Sequence, residues 1–187
     1  MAVTLACIGG RDAYNLLHGA LMAERLGPRP TPFGDSQPIF RCESPVGGFF
    51  FLSRHGETSY ERTPSFVNYR ANIFALKDLG TRSIVSWSET RAISHNFKIG
   101  QYVIVDDLVD ETALRPQTFF EQQGFGHLRQ WPVFCPSLRK AMADVEEKGL
   151  DILAPFKKGD YARPRLFEVA AAINRMRTLK IKITPDG

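Results

Sequence analysis

Three short apolar runs, each stopped by a turn of small or charged residues, constrain this chain more than any other feature. Residues 3–8 end at Gly9-Gly10. Residues 48–53 carry Phe49, Phe50, Phe51 and Leu52 and end at Arg54-His55-Gly56, and residues 82–87 lead into Ser88. An unbroken run of this length suits a strand covered on both faces, where alternation would suit a half-exposed one. Helical patterns lie between the runs. Asp12 is placed to cap a helix running to about Leu26. After Pro64, Ser65 is placed to cap another, with Phe66, Tyr69, Ile73 and Leu76 on one face and Gly80 as its stop. Pro28, Pro30, Pro32, Gly34 and Pro38 mark a loop between Gly27 and Gly47, with one short strand near 39–42. Further on, 101–105 reads as a strand closed by Asp106 and Asp107, 137–148 as a helix ended by Gly149, 166–179 as a helix and 180–184 as a short strand. Strands and helices in alternation predict a largely parallel sheet covered by helices on both sides. At 187 residues, with no internal repeat and no linker, a single domain over 1–187 is expected.

Composition narrows the function classes. With 43% hydrophobic and 24% charged residues the chain reads as globular. No run approaches the ~18 apolar residues of a membrane-spanning helix. The first apolar run lacks a basic leader, so no secretory signal and a cytoplasmic home are expected. Cys7, Cys42 and Cys135 are odd in number and far apart, which fits reduced thiols filling a core. The net charge of +4 is dispersed, which argues against nucleic acid and fits a small anionic ligand. His18, His55, His95 and His127 have no zinc-ligand spacing, the cysteines form no CxxC, and neither a GxSxG elbow nor a Walker loop is present. No metal and no cofactor is expected. Asp106, Asp107 and Asp110 suit either magnesium or plain solvation at a strand end.

Parallel sheets bind ligands at the loops after their strand ends. Gly9-Gly10-Arg11 can aim backbone N–H groups and a helix terminus at an anion, or simply turn the chain. Arg54 beside His55 puts a permanently charged fork next to an imidazole, which suits phosphate oxygens, though a surface arginine beside a satisfied histidine reads the same. Ser88 can add a hydroxyl, or form a turn. His127, among glycines and aromatics, suits a binding loop or a plain surface. Convergence of these loops is what would make a site.

Two family resemblances follow. RHGET at 54–58 resembles the signature of the histidine phosphatase and phosphoglycerate mutase superfamily, in which His55 would be phosphorylated. There, however, the motif closes the first strand, whereas here a strand, a helix and a loop precede it. Several segments in order resemble the purine nucleoside phosphorylase family, particularly its methylthioadenosine phosphorylase branch. They are IGG at 8–10, TPFG at 31–34, SRHG at 53–56, VNYRANI at 67–73, the stretch from Ile99 to Asp106, RPQTFF at 115–120 and FCP at 134–136. They span roughly residues 3–140, and VNYRANI with RPQTFF is highly specific.

This second resemblance implies a three-layer α/β/α fold with a mostly parallel or mixed central sheet, assembled as a trimer, that cleaves a purine nucleoside with inorganic phosphate. The implied phosphate site is Gly10, Arg11, Arg54, His55 and Ser88, and His127 matches a histidine that reaches into a neighbouring subunit's site. Inorganic phosphate would be the co-substrate. The chain also departs from the family. Arg11 stands where a small hydroxyl is usual, Glu89-Thr90-Arg91 replaces Ala-Val-Gly, and Ser59 stands where a histidine is usual. The purine-binding EGPRFE is only echoed at 162–168, and the chain ends near where the residues engaging the leaving purine would follow. The expectation is a shortened, divergent pentosyltransferase that binds phosphate and a nucleoside-like molecule. An inactive binding or scaffold homologue is the alternative.

Overall fold

A computed structural model describes residues 3–18, 22–44, 47–90, 93, 103–113, 115–116, 118–121 and 131–147. In chain order the elements are β1 (Leu5–Gly9), a 3₁₀ helix (Ala13–His18), β2 (Ala23–Gly27), β3 (Pro30–Thr31), β4 (Gly34–Asp35), β5 (Ile39–Ser44), β6 (Gly47–Ser53), a 3₁₀ turn (Pro64–Phe66), α1 (Tyr69–Asp78), β7 (Ser83–Ser86) and α2 (Pro136–Glu147). Five strands form one sheet in the order β2-β5-β6-β1-β7, with β3 and β4 paired separately. Strand β1 runs parallel to both neighbours, Ala6 lying opposite Phe50 on one side and Ile84 on the other. Strand β5 is antiparallel to β6 and to β2. The sheet is therefore mixed, its parallel part being β6-β1-β7, built from the three apolar runs.

Successive side chains of a strand point to opposite faces, and that sorts the core into two clusters. Ala6, Ile8, Phe50, Leu52 and Ile84 meet Ile73, Ala75 and Leu76 of α1. On the other face Phe40, Cys42, Phe51 and Trp87 meet Ala13, with Leu16 and Leu17 of the 3₁₀ helix packed alongside. The three cysteines are free. Burial pushes the Cys7 thiol up to about 12, with Cys42 adding to the effect, and the Cys42 thiol up to about 11. Both are thereby inert at neutral pH. No helix among the described residues is long and apolar enough to cross a membrane.

The structure corrects several sequence expectations. The helix expected from Asp12 to Leu26 stops at His18, and Ala23–Gly27 is a strand whose Ala23 lies opposite Cys42 and Arg25 opposite Phe40. A helical pattern of charged and apolar residues yields here to pairing with the edge of β5. Tertiary hydrogen bonding outweighs local propensity. Glu24 and Arg25 are exposed on this edge, where charge discourages pairing with another chain. Asp12 does not cap through its carboxylate. Its backbone carbonyl accepts from the Asn15 N–H at 3.0 Å, and φ is 59°.

The cap of α1 is Asn68 rather than Ser65, its Oδ1 accepting from the Ala71 N–H at 3.2 Å. Ser65 sits in the preceding 3₁₀ turn, and Phe66 is 74% exposed instead of packed. The short strand expected near 39–42 extends from Ile39 to Ser44. Residues 103–105 of the strand expected at 101–105 carry no regular structure. The remainder of that strand, Gly149, the helix at 166–179 and the strand at 180–184 lie outside the described residues.

Candidate functional site at the strand ends

The ladder of β6-β1-β7 continues just past the strands. The Arg54 N–H donates to the Gly9 carbonyl at 3.2 Å, and the Trp87 N–H to the Ile8 carbonyl at 3.1 Å. Three loops are thereby fixed side by side at the carboxyl edge of the parallel strands. Gly10 allows their close approach. A Cβ there would lie 3.0 Å from both the Ser88 Cα and the Trp87 carbonyl oxygen. Across this junction Arg54 Nη2 donates to Ser88 Oγ at 2.9 Å, and Arg54 Nε donates to His55 Nε2 at 3.0 Å. Ser88 Oγ in turn donates to the Glu89 carbonyl at 3.2 Å. Arg54 is 9% exposed and His55 2%, so a permanent positive charge is held nearly out of water in a set direction.

The hydrogen bonds define the state of His55. Its Nδ1–H donates to the Arg62 carbonyl at 2.7 Å, which leaves Nε2 as the acceptor for Arg54. The ring is neutral in this arrangement, since a proton on Nε2 would face the Arg54 N–H. Burial holds its pKa below the ordinary 6.5. The Arg62 carbonyl opposes that shift, Arg54 and Arg11 add to it, and Asp12 opposes it. A phosphohistidine intermediate needs a ring nitrogen with an available lone pair, and here both nitrogens are engaged. The geometry gives the histidine phosphatase reading no support.

The loop after His55 is closed on itself. The Arg62 N–H returns to the His55 carbonyl at 2.8 Å, and Glu61 Oε1 accepts from the Glu57 and Thr58 N–H groups at 3.0 and 3.3 Å. Gly56 has φ of 148°, and a Cβ on it would come within 2.4 Å of the Ser59 carbonyl oxygen, so any side chain there would strain the backbone and force the loop to shift. Arg25 of β2 forms a bidentate pair with Glu57, at 2.5 and 2.9 Å. This loop presents Tyr60, whose ring stacks on His55 with centroids 4.6 Å apart, and the Arg11 guanidinium lies 5.2 Å from the Tyr60 ring centroid.

Gly10, Arg54, His55 and Ser88 thus come together, and Arg11 joins them through Tyr60, a residue that sequence reasoning missed. Its only signal was an aromatic five places after the histidine. The helix following Gly10 is a six-residue 3₁₀ segment, which supplies much less of a dipole than the long helix expected. Glu89 is exposed. Of the acidic residues considered for magnesium, Asp106 lies 3.9 Å from Arg139, and Asp107 and Asp110 accept from the Leu108 and Thr112 N–H groups. Among the described residues no group of three or more His, Cys, Asp or Glu could hold a metal ion. His95 and His127 lie outside the described residues.

The segments that carried the family resemblance also meet one another. Asn68 Nδ2 donates to the Phe33 carbonyl at 2.7 Å, and Arg70 Nη1 donates to the Thr118 carbonyl at 3.2 Å and pairs with Glu121 at 2.7 Å. Phe33 stands edge-on to Phe119, and Arg115 lies over Tyr69. TPFG, VNYRANI and RPQTFF are therefore parts of one packed unit.

Comparison with known proteins points the same way. The chain is 34% identical over 188 residues to a 6-oxopurine nucleoside phosphorylase of Pyrococcus furiosus, covering 94% of this chain and 67% of that protein. It is 36% identical over 152 residues to an S-methyl-5'-thioadenosine phosphorylase of Yarrowia lipolytica, covering 80% of this chain and 46% of that one. Its fold matches the methylthioadenosine phosphorylase of Schistosoma mansoni in complex with tubercidin at a TM-score of 0.68, with 25% identity over 79% of this chain and 53% of that chain. The chain spans about half the length of the last two relatives. Residues 82–182 also match the family model described as the MRB1590 C-terminal domain. Of the residues gathered at the strand ends, only Ser88 lies within that stretch. With the motifs in family order, packed together on the family's fold, the chain belongs to the nucleoside phosphorylase family.

Proposed function

We propose that the strand-end site binds inorganic phosphate and that the chain acts as a divergent pentosyltransferase on a nucleoside-like small molecule. The observation that carries this reading is the buried Arg54 guanidinium, oriented by His55 Nε2 and Ser88 Oγ at the end of β6. A phosphate placed there meets a fixed cation, the loop at Gly10 and the Ser88 hydroxyl, with Arg11 as a second charge at the rim. His55 serves in its neutral form by aiming the Arg54 fork. Phosphate held in this way would attack the anomeric carbon of the sugar as the base departs. The contribution of these residues is then positioning and charge stabilisation, in a setting where water has been largely excluded.

The test is phosphate-dependent release of base from methylthioadenosine, adenosine, inosine and guanosine, paired with calorimetric titration of phosphate. Turnover on at least one nucleoside is expected, and Arg54→Ala should weaken phosphate binding by about tenfold or more, the worth of a hydrogen bond to a charged group. Silence on all four nucleosides with phosphate still bound would favour the second reading, a ligand-binding homologue without turnover. That alternative draws on Arg11, Glu89 and Ser59, each of which departs from the family's pattern.

The same proposal includes assembly as a trimer in which His127 of one subunit completes the site of another. Light scattering at micromolar concentration should give three times the monomer mass, and a monomer would contradict it. A cytoplasmic setting fits the three free cysteines.

A further inference from the structure

Tyr60 occupies a position that nothing in the phosphorylase reading assigns. Its loop is closed by the two hydrogen bonds between His55 and Arg62 and braced by Glu61, so the backbone that carries the ring is held in place. One face of that ring is stacked on His55 at an interplanar angle of 26°. The Arg11 guanidinium also lies against it, 5.2 Å from the centroid. Arg11 is exposed and follows two glycines. Without a partner, a side chain of that length would sample many rotamers in water and lose much of its entropy on gripping a ligand.

We propose that Tyr60 is a positioning residue that holds the Arg11 guanidinium over its own ring at the rim of the Arg54–His55 site, where it acts as the second cation for a bound phosphate. The inference rests on the phosphate-binding reading of the site and assigns a mechanism to its exposed member. An aromatic face attracts a guanidinium through its ring quadrupole, so the arrangement pre-orders the cation before the anion arrives. Arg11 also adds to the lowering of the His55 pKa, behind burial and Arg54, so its charge is felt at the imidazole. Tyr60 is 37% exposed, so replacing it need not disturb the core. The phenolic hydroxyl takes no part in this role, and the face of the ring does all of it.

Calorimetric titration of inorganic phosphate into the full chain tests the idea with Tyr60→Phe, Tyr60→Leu, Arg11→Ala, the Tyr60→Leu/Arg11→Ala double variant and Arg54→Ala. Tyr60→Phe should bind as the unmodified protein does. Tyr60→Leu should bind about three- to fivefold more weakly, the factor expected for a half-exposed cation–π contact. The double variant should bind no more weakly than Arg11→Ala alone, because Tyr60 acts through Arg11. Three results would each overturn the inference while leaving the site intact: Tyr60→Leu binding normally, Tyr60→Phe failing as badly as Tyr60→Leu, or the two losses multiplying in the double variant. If the unmodified protein binds no phosphate, the reading of the site falls and the inference with it.

Discussion

His55 is the residue at which structure and pH meet. Its ring is neutral, donates to the Arg62 carbonyl and accepts from Arg54, and its folded pKa lies below 6.5. The sign of the stability effect follows. Below about 6.5 the unfolded chain takes up a proton that the folded ring resists, so stability is full above that pH and falls as pH drops, until the folded ring itself protonates. Urea unfolding at pH 7.5 and 5.5 should show a larger loss at low pH for the unmodified protein than for His55→Asn. Equal losses would remove the coupling. Gly56 is constrained differently, by backbone. Gly56→Ala should cost about 1–3 kcal/mol in chemical denaturation, as strain at a left-handed position does, and Gly10→Ala less, because its nearest contacts are at 3.0 Å rather than 2.4 Å.

At the scale of elements, α1 shows how a local pattern can be legible while its boundary is not. Of the face expected from apolar spacing, Ile73 and Leu76 are buried, joined by Ala71, Asn72 and Ala75, whereas Tyr69 is only half-buried, and Gly80 ends the helix as expected. Ser65 and Asn68 are both good capping residues. The choice between them is made by Asn68 Nδ2, which bonds the Phe33 carbonyl from a segment 35 residues away while its Oδ1 caps Ala71. Asn68→Ala should therefore lose a cap and a long-range hydrogen bond together. A cost of about 1–3 kcal/mol is expected, read as a lower denaturant midpoint with an unchanged slope. Strand β2 is the converse case. Nothing in Ala23–Gly27 alone marks it as a strand, and pairing with β5 makes it one.

Over the whole molecule, the mixed sheet separates two apolar clusters that share no side chain. Leu76 lies in the α1 cluster and Phe51 in the opposite one, both nearly inaccessible to solvent. Leu76→Ala should cost about 2–5 kcal/mol and Phe51→Ala about 3–5 kcal/mol, and in the double variant the losses should add to within about 0.5 kcal/mol. Milder variants, Leu76→Val and Phe51→Leu, make the same comparison if the double alanine variant does not fold. Non-additivity would mean that the sheet transmits strain between its faces.

The three buried strands were legible in the order of residues alone, because an apolar run between turns has few other stable fates, and so was the place of Arg54, His55 and Ser88 at strand ends, because parallel sheets gather such loops at one edge. That β2 is a strand and that Asn68 is the cap came from long-range contacts. The same is true of the neutral state of His55 and of Tyr60, which stacks on His55 and carries Arg11 over its ring. Each of these depends on which group lies opposite in space, and contacts between distant segments leave no periodic trace along the chain.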